Sequence, residues 1–282
     1  MTARTFARDS LIRATYATGA PYLRKRVLRL SRGPLSRVLC FHRVRSAAEF
    51  REKAEFLARH FNVVTLSDIE DGANLSRSRT NLAITFDDGF AEQIENALPA
   101  LVELELPATF FLITGCLGLS AARAERFYAD NVGIAYDRAL GQAEVGELAR
   151  QPKVEIGLHT RTHADLGGAE DPQTLVSEIT EAREEMERIC GRPVLRLAYP
   201  YGGILNYSRI AIEYARAAGL RSAYTIIPGF NTSVTPRYEM HRDSLSPSLG
   251  PTLFKAWLAG SYDPFKSVLN SVKMGLGRHT GN

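Results

Sequence analysis

From residue 37 onward, short runs of β-branched and other apolar residues alternate with segments of helical periodicity, and this alternation restricts the fold more than any other feature of the sequence. Parallel strands need a crossover connection, usually a helix, so the alternation predicts βα units in a parallel sheet. We predict seven strands, at Arg37–Phe41, Asn62–Val64, Leu82–Phe86, Ala108–Ile113, Val154–Leu158, Val194–Tyr199 and Arg221–Thr225. About seven parallel strands favour a distorted (β/α) barrel, and an open doubly wound sheet is the alternative.

Helical periodicity is clearest over residues 172–190, where apolar residues recur every three or four positions and Gly191 follows. Helices are predicted at Ala47–His60, Gln93–Leu104, Gln142–Ala149, Pro172–Cys190 and Tyr207–Ala218. Residues 226–250 are rich in Pro, Ser, Gly and Thr and are predicted to form a long loop. Long loops in compact domains are often functional, so His241 and Arg242 within this segment are noted as candidates.

Basic residues are concentrated at the start of the chain. Residues 1–37 hold nine Lys or Arg and one acidic residue, Asp9, whereas the rest of the chain holds 26 basic and 30 acidic residues. We therefore predict a basic, helical N-terminal extension over residues 1–36 and one globular domain over residues 37–282. Because the domain itself is not basic, we expect no nucleic-acid partner. The extension is expected either to pack on the domain as a solvated helix or to contact an anionic membrane surface peripherally.

Cysteine usage and hydropathy bear on the compartment. The three cysteines are far apart and none lies in a C-x-x-C motif, which is typical of a reducing compartment. The segment Leu11–Ala20 is broken by an arginine and a glycine and does not resemble the apolar part of a signal peptide. The longest apolar stretch, Ala108–Leu119, is too short to span a bilayer. We expect a cytoplasmic protein, with contact to the inner face of the membrane as the alternative.

Polar residues follow four of the predicted strands at the point where each strand ends. They are Asp87-Asp88-Gly89 after L-A-I-T-F, His159 and His163 after V-E-I-G-L, Pro200-Tyr201-Gly202 after L-R-L-A-Y, and His42 after V-L-C-F. In α/β barrels the carboxyl ends of the strands form one face, and that face carries the active site. We therefore expect these residues to meet on one rim of the barrel.

The residue types in this set indicate metal chemistry. Two adjacent carboxylates at a strand end project differently, so that one can bind a cation while the other serves as a base. Asp87-Asp88-Gly89 alone is also compatible with a simple turn or helix cap, and His159 and His163 alone with a capping or core histidine pair. Two imidazoles and one carboxylate together are a usual zinc ligand set, and they leave a coordination position open for water.

Together these motifs resemble the polysaccharide deacetylase family, the group related to the rhizobial chitooligosaccharide deacetylases (the NodB-homology type, carbohydrate esterase family 4). Thr85-Phe86-Asp87-Asp88-Gly89 is similar to the first motif of that family, His159-Thr160-x-x-His163 to the second and Tyr199-Pro200-Tyr201-Gly202 to the third. The resemblance covers residues 37–245. The segment Cys40–Val44 resembles a subgroup with an extra early strand that ends in histidine, which predicts that His42 lines the pocket.

The resemblance implies that Asp88, His159 and His163 hold a divalent metal and that Asp87 is the general base. Zinc is the expected metal, with cobalt or nickel as alternatives, because this ligand set accepts several cations. The resemblance also implies that the backbone N–H of Tyr201, next to Pro200, stabilises the oxyanion.

Two positions depart from the family pattern. The third motif usually carries an arginine two residues before its proline, where it pairs with the catalytic aspartate, but this chain has Ala198 there. Arg196, on the same face of the strand, is predicted to substitute as the residue that orients the base. The general acid is usually a histidine after an aliphatic residue near the C-terminus, and His241, after Met240, is the predicted equivalent.

The predicted function is hydrolysis of N-acetyl groups on an aminosugar-containing polysaccharide, oligosaccharide or glycolipid. One alternative is hydrolysis of another non-peptide C–N bond by the same fold, such as that of a cyclic amide. Another is a non-catalytic carbohydrate-binding relative, although binding alone does not require the complete Asp-Asp and His-His set. The sequence indicates neither the glycan nor the oligomeric state.

Overall fold

The computed structural model describes residues 3–265; the remainder of the predicted domain, residues 266–282, lies outside the described part. Its strands lie close to the predicted positions. They are β1 (Ser36–Phe41), β2 (Asn62–Val63), β3 (Asn81–Phe86), β4 (Ala108–Leu112), β5 (Val154–Leu158), β6 (Arg196–Ala198), β7 (Ser222–Tyr224) and β8 (Asp243–Ser244). All of the pairings between these strands are parallel.

The strands form one curled sheet in the order β7-β6-β5-β4-β3-β1-β8, with β2 beside β3. The last residues of neighbouring strands lie level: Phe41 pairs with Phe86 and Leu112 with Leu158. Residues 240–244 connect the two edges, because Met240 bridges to Tyr224 while β8 pairs with β1. The predicted distorted (β/α) barrel is confirmed, and its carboxyl ends share one rim.

The helices surround the sheet and confirm the predicted alternation. They are α1 (Ala3–Ala17), α2 (Ala20–Arg32), α3 (Ala47–His60), α4 (Leu66–Asp71), α5 (Ala91–Asn96), α6 (Leu98–Glu103), α7 (Ala121–Asn131), α8 (Gln142–Arg150), α9 (Pro172–Leu175), α10 (Ala182–Cys190), α11 (Arg209–Ala217) and α12 (Pro251–Leu258). A 3₁₀ turn spans Thr114–Cys116, and a π-helical segment, Val176–Glu181, joins α9 to α10. The helix predicted over residues 93–104 is divided in two at Ala97, because Pro99 in the first turn of α6 has no N–H to donate to the preceding turn.

Side chains alternate between the two faces of the curled sheet. A small apolar cluster fills the barrel interior and includes Val38, Phe111, Ala198, Tyr224 and Met240. The larger apolar cluster lies between the outer face of the sheet and the helices. Along β1 and the segment before β8, every second residue therefore points into the barrel, and this alternation decides which of His241 and Arg242 reaches the site.

The two N-terminal helices pack on the domain. Ile12 of α1 is completely buried, and Arg24 of α2 forms an ion pair of 2.9 Å with Asp263. Asp263 also accepts a hydrogen bond from the buried guanidinium of Arg37. The same guanidinium donates two hydrogen bonds to Asp243, at 2.6 and 2.7 Å. The helical extension predicted from the charge distribution is confirmed, whereas the domain boundary at residue 36 stays a prediction. Within the described residues, no helix is long and apolar enough to cross a membrane.

Residues 226–250 were predicted to form a long loop with little regular structure, and they contain one short strand that was not predicted. Residues 243–244 form β8 and residues 240–244 complete the barrel wall. The pairing that orders this segment is with β1, about two hundred residues earlier in the chain, and a local pattern of Pro, Ser and Gly carries no trace of it.

Candidate active site

The turns after three strands place backbone in the left-handed region, which non-glycine residues rarely adopt. Seven non-glycine residues in the described chain have a positive φ, and four of them lie in the three predicted motifs. These four are Asp88 (72°), Thr160 (62°), His163 (63°) and Tyr201 (59°). Such conformations cost of order 1–3 kcal/mol each and tend to persist where function requires them. The motifs are therefore specialised turns rather than ordinary strand ends.

The side chains of Asp88, His159 and His163 converge at the rim. Oδ1 of Asp88 lies 3.3 Å from Nε2 of His159 and 3.5 Å from Nε2 of His163, and all three side chains are at least nine-tenths buried. Their ligating atoms lie within 4.8 Å of one another. The structure thus brings together the three residues for which the family resemblance implies metal binding.

Backbone carbonyls fix the orientation of both imidazoles. Nδ1 of His159 donates to the Ala198 carbonyl and Nδ1 of His163 donates to the Asn131 carbonyl, each at 2.8 Å. With Nδ1 protonated in this way, Nε2 of each ring is left as the lone-pair donor that faces Asp88. This is the usual arrangement of metal-binding histidines, whose second nitrogen is held by an outer partner.

The electrostatics of the cluster favour a positive charge at its centre. Burial lowers the pKa of His159, but the nearby carboxylates of Asp87 and Asp88 outweigh it and raise that pKa above its ordinary value. Burial and the charge of His159 lower the pKa of His163 to about 4, so this ring is neutral at pH 7. Oδ1 of Asp88 is buried and has no hydrogen-bond partner among the described residues. A neutral imidazole beside an unsatisfied carboxylate oxygen fits a divalent cation, and the donor set is that of zinc.

Asp87 is held by an arginine that the sequence analysis noted without giving it a role. Arg242 donates two hydrogen bonds to the carboxylate, at 2.7 Å to Oδ1 and 2.8 Å to Oδ2, and both side chains are almost completely buried. Burial alone raises the pKa of Asp87, but Arg242 and His159 hold it well below its ordinary value. Asp87 is therefore ionised and fixed in orientation, as a general base must be.

The prediction that Arg196 orients the base is wrong. Its guanidinium pairs with Glu70 at 2.8 Å and with Glu155 at 3.3 Å, within the barrel and away from the rim. Arg196 is the first residue of β6, and two residues of strand place it about 7 Å below the position of Ala198. The position next to Asp87 that the motif arginine would occupy is thus filled by Arg242, from the segment before β8.

The placement of His241 contradicts its predicted role as the general acid. In the extended segment before β8 it points to the face opposite Arg242, where its ring packs on Gly229. Its main-chain N–H and carbonyl are both bound by the side chain of Asn231. Burial lowers the pKa of the His241 imidazole, and the nearest carboxylate that offsets this is that of Asp263, outside the barrel.

Unlike His241, His42 does lie close to the Asp87 carboxylate. It follows β1, is partly exposed, and forms with Cys40 and Asp87 a group whose polar atoms lie within 4.8 Å of one another. Nδ1 of His42 is 3.8 Å from the Cys40 sulfur. Burial raises the pKa of the Cys40 thiol well above its ordinary value, so this sulfur is not a thiolate ligand. His42 therefore lies next to Asp87 at the rim.

Tyr201 forms the outer wall of the site. Its side chain is 49% exposed, its ring centroid lies 4.7 Å from that of His163, and its hydroxyl donates to the Asn131 carbonyl at 3.0 Å. Its backbone N–H has no acceptor among the hydrogen bonds of the described residues. Pro200 precedes it and is buried, and Gly202 turns the chain back towards Pro200. This N–H lies in the turn whose side chain packs on His163, and it is available to an incoming oxygen.

A family model described as polysaccharide deacetylase matches residues 75–223, more than half of the chain. The chain belongs to the polysaccharide deacetylase family. Members of this family are hydrolases that act on non-peptide carbon–nitrogen bonds, and the family predicted from the motifs is confirmed.

Individual relatives of this deacetylase agree with that assignment. YxkH of Bacillus subtilis (strain 168), whose name carries the same family description, is 26% identical over 231 residues, which are 78% of this chain and 75% of that protein. A poly-beta-1,6-N-acetyl-D-glucosamine N-deacetylase of Staphylococcus aureus (strain MRSA252) is 24% identical over 181 residues. That match covers 62% of this chain and 57% of the Staphylococcus protein, less than two thirds of its length.

Among solved structures, that of IcaB from Ammonifex degensii is similar to the structure of this chain, with a TM-score of 0.65. It is 20% identical in sequence, and the match covers 82% of this chain and 97% of the other. At this identity the likeness supports the fold of the deacetylase and nothing further.

Proposed function

We propose that this deacetylase removes N-acetyl groups from an N-acetylglucosamine-containing polysaccharide, with a divalent metal, zinc first, at Asp88, His159 and His163. The observation that carries the proposal is the buried Asp88 oxygen, which has no hydrogen-bond partner and faces two imidazole nitrogens. An unsatisfied buried carboxylate oxygen is costly unless a cation completes it.

Asp87 accepts the proton of the attacking water as the water oxygen bonds to the acetamide carbon. Before this transfer, the two hydrogen bonds from Arg242 keep the Asp87 carboxylate ionised and fixed in orientation. The N–H of Tyr201 donates to the oxyanion that forms on the acetyl oxygen, an interaction whose loss typically costs about 3–4 kcal/mol. When bound, the divalent cation supplies Lewis-acid activation of water and of the amide carbonyl.

His42 then donates a proton to the amine nitrogen as the carbon–nitrogen bond breaks, giving acetate and a free aminosugar. We assign it this role instead of His241 because His42 lies beside Asp87 whereas His241 points out of the barrel. Asp87 ends the step with a proton taken from water, and His42 ends it one proton short. Transfer of that proton from Asp87 to His42, which lies in the same group of side chains, restores both residues. The second proton of the water leaves with the acetic acid product, so the reaction is balanced without any other reactant.

A polymeric glucosamine glycan is the substrate we propose. The support is the name of the Staphylococcus aureus relative together with the open rim of this chain, where the 49% exposed Tyr201 lies against His163. An exposed aromatic ring offers a surface on which a sugar ring can pack.

The test measures metal content and acetate release on the same preparations. We expect about one divalent cation per chain and acetate release from poly-β-1,6-N-acetylglucosamine or chitooligosaccharides, both lost with a chelator and restored by zinc. Metal without acetate from either glycan would redirect the proposal to another carbon–nitrogen bond, such as that of a cyclic amide. A protein that retains no metal under any condition would contradict the assignment of the three ligands and favour a carbohydrate-binding role.

Two variants separate the metal ligands from the base. Asp88→Asn is expected to lose metal and activity together. Asp87→Asn keeps the side-chain size and is expected to retain metal while losing turnover. Normal turnover in Asp87→Asn would remove Asp87 as the base.

A further inference from the structure

Helix α2 turns its apolar side chains outward. Leu23, Val27 and Leu30 recur at i, i+4 and i+7 and form a single row on one side of the helix. These side chains are 66%, 55% and 81% exposed. A surface helix normally places such a row against the core, so the amphipathic pattern of α2 is inverted with respect to its own domain.

Exposed apolar side chains are concentrated in the two N-terminal helices. Of the twelve large apolar side chains that are exposed in the described chain, six lie between residues 6 and 30: Phe6, Leu11, Tyr22, Leu23, Val27 and Leu30. Single apolar residues scattered over a surface are ordinary, whereas a contiguous group marks a surface that is covered by something else.

The helix that carries the row is a fixed part of the fold. Pro21 is buried, the hydroxyls of Tyr16 and Tyr22 are 2.9 Å apart, and Arg24 is paired with the buried Asp263. The outward row is therefore presented in a set orientation and does not result from a helix that fails to dock.

The charge of α2 identifies the chemistry of what covers the row. The helix has five basic residues and no acidic one, and Arg26 and Arg32 have no acidic partner within the described residues. On another side of α2 lies a cleft of about 430 Å³ whose lining includes Lys25, Arg29 and Lys255 and no acidic residue. Nε of Arg29 is buried there without a hydrogen-bond partner. Anionic groups would satisfy these cations.

We propose that α2 lies in the surface of an anionic phospholipid bilayer, with Leu23, Val27 and Leu30 among the acyl chains and the surrounding cations against the headgroup phosphates. Interfacial helices have this composition, with Leu or an aromatic residue on one face and Lys or Arg on the other. Basic residues near an anionic membrane surface are attracted to it electrostatically. A second copy of the chain is the less favourable occupant, because it would bring one basic helix against another.

The position of α2 in the fold orients the enzyme on such a surface. Arg29 reaches Thr80, the residue before β3, so α2 lies near the amino ends of the strands. The metal ligands lie at the carboxyl ends. The active site of a bound molecule therefore faces away from the lipid, towards a glycan that extends into the aqueous phase.

The experiment is co-sedimentation of the full chain with vesicles of phosphatidylcholine alone or mixed with phosphatidylglycerol. We expect binding to the anionic vesicles that weakens as salt is raised, and little binding to the neutral ones. The combined L23S, V27S and L30S variant is expected to bind at least about tenfold more weakly. The matched control replaces three exposed apolar residues elsewhere, V102S, I210S and V234S, which are 42–60% exposed and are expected to leave binding unchanged.

Circular dichroism and thermal unfolding check that both triple variants are folded, and neither measurement depends on deacetylase activity. If the α2 variant does not fold, the double variant R26Q/R32Q removes two surface cations instead. It is expected to weaken binding to the anionic vesicles and to leave binding to the neutral vesicles unchanged. Equal binding of wild type and folded α2 variants would overturn the proposal, as would equal binding to neutral vesicles. A dimer in sedimentation velocity that the α2 variant dissociates, without vesicle binding, would assign the row to a second copy.

Discussion

Replacement of Arg242 by methionine tests the account of the catalytic base most directly. Methionine keeps much of the side-chain volume but removes both hydrogen bonds to Asp87, at 2.7 and 2.8 Å. Hydrogen bonds to a charged group contribute about 1.5–3 kcal/mol each, and breaking a buried ion pair costs about 3–5 kcal/mol. Since Asp87 is 1% exposed, solvent does not screen this loss, and we expect R242M to lower the free energy of unfolding by about 3–5 kcal/mol.

The dependence of this loss on pH has a definite sign. In the wild type, the lowered pKa of Asp87 gives stability that is present above the ordinary aspartate pKa and is lost as the pH falls through the lower, folded-state value. In R242M the carboxylate is buried without its partner, so its pKa rises and protonation relieves the cost. The difference in unfolding free energy between the two proteins should therefore be largest near pH 7 and should shrink as the pH is lowered. Urea unfolding over a range of pH measures it.

The pH dependence of activity should also change. The acid limb of the pH–rate profile should move to higher pH in R242M, because more of the base is protonated at a given pH. In addition, kcat at pH 7 should fall by roughly 10²–10⁴-fold, as for loss of general-base catalysis. R196M is the matched control, since Arg196 is also buried and paired with a glutamate but lies away from Asp87. It should cost comparable stability without moving the acid limb. An unmoved limb in R242M, or an equal shift in R196M, would refute the assignment of Arg242.

Three further results are expected. H42Q should lower kcat by roughly 10²–10⁴-fold with metal content unchanged, whereas H241Q should stay close to wild type; the reverse order would restore His241 as the acid. R37M should lower the unfolding free energy by about 3–5 kcal/mol in denaturant titrations, because it leaves the buried Asp243 without a cation and Asp263 with Arg24 alone, and a loss below 1 kcal/mol would contradict that reasoning. H163A should reduce zinc affinity, measured by competition with a chromophoric chelator, and unchanged affinity would exclude His163 as a ligand.

The local pattern of apolar and polar residues was sufficient to predict most of the helices and strands. The predicted Ala47–His60 helix and Val154–Leu158 strand have the observed bounds, because their apolar periodicity and end signals lie within the segment itself. Helix α7 was not predicted. The break at Ala97 did have a sequence signal in Pro99, which the periodicity of the surrounding residues masked.

The parts of the site that sequence reasoning found are those held by short-range structure. Asp87 and Asp88 are adjacent, and His159 and His163 are four residues apart, so a motif contains each pair. Arg242 has a partner 155 residues away, and nothing next to it in the sequence indicates that partner. One signal was available: in an extended segment Met240 and Arg242 share a face, so an apolar residue at 240 places Arg242, and not His241, inside the barrel.

The segment 240–244 also bears on the order of events in folding. It joins both edges of the sheet, and it supplies the only arginine that contacts Asp87 within the described residues. Until this late part of the chain has docked, Asp87 has no guanidinium beside it, and Arg242 does not yet lower its pKa. Closure of the barrel and pairing of Asp87 with Arg242 are thus a single step, so that the proposed base receives its counter-ion only when the last strand joins the sheet.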